Sequence, residues 1–96
     1  MNMPIGNSLG FHIRGKRESA GVSMRAVASA AGLSVAFLCD LELGRRSAKI
    51  LTLGRIAKAL SANGIPTSIK ELTEIQERDK IAVLEAELTR LKRKRA

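Results

Sequence analysis

The sequence predicts an all-α fold, with four short helices forming a small head and a fifth helix running far beyond it. Three observations carry this. Apolar residues recur at three- and four-residue spacing, Ser and Gly stand where helices start and stop, and no segment shows the two-residue alternation of a strand. With 96 residues, 45% of them hydrophobic, the chain has material for one domain with a single core and none for a cleft between lobes.

Residues 1–8, Met-Asn-Met-Pro-Ile-Gly-Asn-Ser, lack periodicity and are expected to form a flexible N-terminal arm, with Ser8 placed to cap the helix that follows. The first helix is expected over Leu9–Ala20. Leu9, Ile13 and Ala20 share one face with Arg17 beside them, Gly10 and Gly15 lower its propensity, and Gly21 ends it. Ser23 caps a second helix, Met24–Ala31, which turns Val27 and Ala28 inward and stops at Gly32. Ser34 caps a third, over residues 35–43, closed by Gly44 and followed at once by Arg45 and Arg46. Leu38 and Leu41 seat this third helix on the core, while Val35, Ala36, Cys39 and Asp40 project from its other faces. Two helices of this length joined by Ala31-Gly32-Leu33-Ser34 make a helix-turn-helix, because Gly permits the sharp turn and Ala28 lets the helices cross closely.

Leu53, Ile56, Ala57 and Leu60 mark a fourth helix from about Ile50 to Ala62, whose role is core. Gly64-Ile65-Pro66 breaks the chain, and Ser68 with Glu71 forms the S-x-x-E box that starts the last helix at Ile69. Leu72 and Ile75 are placed to pack back on the head. Beyond them Ile81, Leu84, Leu88 and Leu91 follow a 3-4-3 spacing, the a/d seam of a coiled coil. So short a seam is marginal alone and is expected to reinforce a homodimer. The expected domains are therefore the arm 1–8, a helix-turn-helix domain over 9–68, and a dimerisation helix over 69–96 that ends in a basic tail.

Charge narrows the partner. The formal net charge is +8; residues 1–66 and 90–96 are strongly basic, and the stretch between them is acidic. Two Phe and no Trp or Tyr make a poor stacking platform for single strands, whereas a basic helical head suits duplex DNA. His12 is the only histidine, Cys39 the only cysteine, and Glu71, Glu74 and Glu77 have no histidine among them, so neither an enzyme nor a metal site is expected, and no cofactor or small-molecule ligand. Cys39 reads as a half-buried small residue, with a redox-sensing thiol as the alternative. Residues 1–10 lack the pattern of a secretory signal and no apolar run approaches the roughly 18 residues that span a bilayer, so a cytoplasmic location without a membrane partner is expected.

The spacing Ser23-x3-Val27-Ala28-x3-Gly32-Leu33-Ser34-x3-Leu38-x3-Glu42-x-Gly44 resembles the lambda-repressor/Cro (XRE) family of helix-turn-helix DNA-binding proteins, over roughly Leu9 to Leu72. The resemblance implies a five-helix lambda-repressor-like domain that binds a partly palindromic operator as a dimer and regulates transcription, in a bacterial, phage or plasmid setting. It implies that Arg17 pairs with Glu42 as a structural ion pair, phosphate binding by Arg17 being the lesser alternative. It places Ser34, Val35, Ala36, Cys39 and Asp40 at bases, and Ser23, Met24, Arg25, Arg45, Arg46, Ser47 and Lys49 at phosphates. The sequence departs from the family in two ways. Val35 and Ala36 stand where relatives often carry purine-reading side chains, and can meet only thymine methyls or leave room for water. Met24 replaces a frequent Gln, leaving backbone N–H groups and Arg25 to hold the phosphate. Asp40 either accepts from a cytosine amino group or bonds a neighbouring Arg.

The rival reading is a protein-interaction module, antitoxin-like or a coiled-coil adaptor, that uses the apolar third helix and the last helix as docking faces. The tail cations Arg90, Lys92, Arg93, Lys94 and Arg95 read either as sequence-independent attraction to nucleic acid or as a solubilising end.

Overall fold

In the computed structural model, which describes residues 6–95, the helices are α1 (Ser8–Ser19), α2 (Met24–Ala31), α3 (Val35–Glu42), α4 (Ile50–Ala62) and α5 (Ile69–Arg95), with no strand among the described residues. The all-α expectation holds, and α2 and α4 have the expected bounds. α3 ends one residue earlier than expected, with Leu43 at its C-cap and Gly44 at φ +76° just beyond.

The core is aliphatic. Ile13 of α1, Val27 of α2, Leu38 and Leu41 of α3, Leu53, Ile56 and Leu60 of α4, and Leu72 of α5 are almost completely buried. α4 packs against both α2 and α5 and supplies more of the interior than any other helix, as its Leu53-Ile56-Ala57-Leu60 spacing requires. Leu72 is buried and Ile75 packs partly against the core, so the first turns of α5 belong to the head.

α1 departs from expectation at both ends. Residues 1–5 of the expected arm lie outside the described residues, but Asn7 is 7% exposed and donates from Nδ2 to the Glu42 carbonyl at 3.3 Å. Ser8 opens the helix and does not cap it; the cap comes from α5, where Asp79 accepts the Ser8 and Leu9 N–H groups at 2.8 and 2.9 Å. A carboxylate at two free N–H groups satisfies the helix start and complements its dipole, which accounts for a buried acid with no ion-pair partner among the described residues. At the other end Ala20 is exposed, because the helix stops at Ser19 and its inner face is Leu9, Gly10, Ile13 and Arg17. Gly10, a weak helix former by propensity, is the point of closest approach: a Cβ there would overlap the Glu42 carbonyl.

A second polar tie runs between α1 and α5. Lys16 lies 2.6 Å from the Glu71 carboxylate and donates to the Pro66 carbonyl and Thr67 Oγ1 at 3.0 and 3.1 Å, and His12 shares the same carboxylate. Lys16 first, then His12, holds Glu71 below the usual glutamate range. Ser68 Oγ accepts the Glu71 N–H at 3.1 Å, so the expected cap starts α5 while the Glu71 side chain reaches α1.

Two glycines of one helix therefore have opposite roles. Gly10→Ala is expected to destabilise the fold by about 2 kcal/mol or more, since backbone must move to admit the methyl. Gly15→Ala, with nothing within 4 Å of its Cβ position, is expected to stabilise it by about 0.5–1 kcal/mol. Urea unfolding of both variants measures the difference, and equal effects would contradict the close α1–α3 contact.

Candidate nucleic-acid interface

α2 and α3 meet at 113°, the geometry of a helix-turn-helix. Gly32 makes the turn at φ +67°, where the Leu33 N–H bonds the Ala28 carbonyl at 2.9 Å and the Gly32 N–H bonds the Ser29 carbonyl at 3.2 Å. These bonds close the end of α2 and aim the chain into α3. Both helices start on serine hydroxyls, with Ser23 Oγ accepting the Ala26 N–H at 3.1 Å and Ser34 Oγ accepting the Phe37 N–H at 3.0 Å.

α3 is held by its inner face and its carboxyl end. Leu38 and Leu41 enter the core, and Glu42 is 5% exposed against Arg17, at 8%. Arg17 Nε and Nη2 donate to the two Glu42 oxygens, each at 2.9 Å, and Nη1 donates to the Val22 carbonyl at 3.2 Å. The Glu42 hydrogen bonds raise the guanidinium above its ordinary pKa against the opposing effect of burial. One fork thus fixes α1, the loop before α2 and the end of α3, and it occupies Arg17 inside the fold.

The remaining faces of α3 look outward. Ser34, Val35 and Ala36 are exposed, Val35 at 41%, and Cys39 and Asp40 are half-buried one turn on. Helical periodicity puts Val35, Ala36, Cys39 and Asp40 on the side opposite Leu38 and Leu41. Cations flank this patch. Arg25 is exposed beside the start of α2, while the Met24 side chain packs against the core and leaves only backbone at that helix start. In the segment after α3, Arg45, Arg46, Ser47 and Lys49 are exposed. Arg46 stacks on the Phe37 ring, 4.9 Å from its centroid, and Arg45 Nη1 lies 3.7 Å from Asp40 Oδ1, so Asp40 faces the arginine loop.

That loop is anchored from beneath. The Ala48 N–H donates to Gln76 Oε1 at 2.9 Å, and Gln76 Nε2 donates to the Ala48 carbonyl at 2.7 Å, a two-bond clamp from buried α5 onto the segment that carries the cations. Gln76, Asp79, Asn7 and the Phe37–Arg46 stack are not among the residues that the sequence singles out. The signal available was weak: Gln76 and Asp79 lie four and seven residues beyond Leu72, on the face that Leu72 buries.

Among the described residues no three His, Cys, Asp or Glu side chains sit together as a metal site, and no single helix is long and apolar enough to cross a membrane. A family model described as a helix-turn-helix domain matches residues 8–67, from the first residue of α1 to the loop before α5. The match covers more than half of the chain, and the chain belongs to that family of DNA-binding domains. No curated protein and no solved structure matches it.

Because Arg17 and Glu42 neutralise each other where water is excluded, removing one charge strands the other. Glu42→Gln is expected to cost about 3 kcal/mol, read as a lower midpoint in chemical denaturation. A change below about 0.5 kcal/mol would show that the pair does not hold α3 in place.

Proposed function

We propose that this chain is a sequence-specific regulator of transcription that binds double-stranded DNA as a homodimer, related to the lambda-repressor/Cro proteins and acting as a repressor in the cytoplasm. The observation that carries this reading is the exposed N-terminal end of α3, with Arg25 exposed at the start of α2 and Arg45, Arg46 and Lys49 exposed in the segment after α3. A helix presented in this way fits the major groove, with the strands on either side within reach of the cations.

In this reading Ser34, Val35, Ala36, Cys39 and Asp40 meet bases, and Ser23, Arg25, Arg45, Arg46, Ser47, Lys49 and the backbone at Met24 meet phosphates. Ser34 Oγ accepts the Phe37 N–H and keeps its own proton to donate outward. Val35 and Ala36 offer methyl contacts, so operator choice leans on thymine methyls, half-site spacing and DNA shape. Repression follows from occupancy of a promoter by this domain, which blocks access to the DNA it covers. A palindromic operator follows from the two-fold symmetry of a homodimer.

The apolar character of Val35 and Ala36 also favours a second reading, in which this face docks a protein. Salt separates the two. Several phosphate contacts per dimer predict a loss of roughly a thousandfold in affinity for duplex DNA between 50 and 200 mM salt in a gel-shift series. Arg45→Ala and Arg46→Ala are expected to weaken all duplexes alike and flatten the slope, and Val35→Gln to change which fragments are selected from a random pool. A flat salt response, or no shift by folded protein in dilute buffer, would favour the protein-docking reading.

A further inference from the structure

After Asp79, the last residue of α5 buried against the head, the exposed surface of the helix becomes an apolar stripe: Ile81, Leu84, Leu88 and Leu91 are 52, 63, 58 and 48% exposed. The upstream positions in the same register are Glu74 and Glu77, so the stripe begins where the head ends. Four large aliphatic side chains in one line, on a helix that already has its tertiary contacts elsewhere, lack a partner among the described residues.

We infer that this stripe is covered by the same stripe of a second copy, and that the two helices run parallel and in register, with Lys80 of each facing the partner's Glu85 and Glu87 of each facing the partner's Lys92. The inference rests on the homodimer proposed above and specifies its geometry. With Ile81 and Leu88 at a and Leu84 and Leu91 at d, the flanking positions are Lys80 and Glu87 at g and Glu85 and Lys92 at e. In a parallel pair each g residue meets the next e residue of the partner, and here every such meeting joins opposite charges, twice over by symmetry.

The antiparallel alternative reverses this. There g meets g and e meets e, which sets Glu87 against Glu87, Lys80 against Lys94, Glu85 against Glu85 and Arg78 against Lys92, all like charges. Ile81 at a with Leu84 and Leu91 at d also fits two strands. In the single chain Lys80 lies 3.6 Å from Glu77, and Glu87 pairs with Arg90 along the helix, both at solvent-exposed sites that can rotate to a partner. Parallel pairing leaves both heads at one end of the coil, related by a two-fold axis along it. The proposed DNA-facing surfaces of the two heads are then related by that axis, the symmetry a palindromic operator requires.

Cross-linking decides the orientation without DNA. Full-length Ile81→Cys and Leu91→Cys proteins, each also carrying Cys39→Ala, are mixed in equal amounts in a glutathione redox buffer, and the disulfide-linked species are separated by mass. Parallel pairing predicts Ile81→Cys and Leu91→Cys homodimers with little mixed product, since the two positions lie about 15 Å apart along a helix. Predominantly mixed product means antiparallel helices, and no linked product means that the stripes do not pair; either overturns the inference. Glu85→Lys is expected to lower the linked fraction of Leu91→Cys protein by roughly tenfold, and adding Lys80→Glu to restore it. Failure to restore would overturn the register. Protein that shifts duplex DNA but fails to link would refute the coil and leave the DNA-binding reading standing.

Discussion

The buried Arg17–Glu42 pair is the constraint on which the head depends. A charge pair out of water costs more than it returns unless its hydrogen bonds are complete. Here two bonds run between guanidinium and carboxylate and a third goes to the Val22 carbonyl. That geometry exists only if α1 and α3 touch, and they touch because Gly10 has no side chain to separate them. Asn7 adds a bond to the Glu42 carbonyl at the same place. The carboxyl end of α3 is thereby fixed from several directions while its amino end, with Ser34 to Ala36, stays free at the surface. A helix gripped at one end and open at the other can meet a groove without rearranging, which lowers the entropic cost of binding.

α5 has a larger part than a trailing helix. Its buried turns send Gln76 to the backbone of the arginine loop, Asp79 to the start of α1, and Glu71 to Lys16 and His12. Leu72 supplies the apolar contact among these polar ones. The segment that carries the proposed phosphate contacts thus rests on the same helix that extends outward to the apolar stripe. In the proposed dimer, the placement of the DNA-facing loop and the pairing of two chains depend on one rigid element.

Much of the fold was legible because its determinants are local. Ser23 and Ser34 cap, Gly32 turns, and the four-residue spacing of α4 buries a face whatever lies opposite. The exposed patch of α3 was legible in the same way, since Leu38 and Leu41 commit the inner face and the rest must look out. The misses have a shared cause. Asn7, Gln76 and Asp79 are polar residues whose partners lie between 28 and 71 positions away, and neither propensity nor periodicity carries information about such partners. Gly10 misled for the mirror reason: its local cost is visible in the sequence, while the close contact that offsets it is not.

The exposed face of α3 is the surface proposed to meet DNA, and amide chemical-shift mapping of the isotope-labelled protein with a duplex selected from a random pool tests this directly. The largest changes are expected in residues 23–25, 34–40 and 45–49, with the buried amides of α4 nearly still. Perturbations confined to α5, or a folded protein whose spectrum the duplex leaves unchanged, would contradict it.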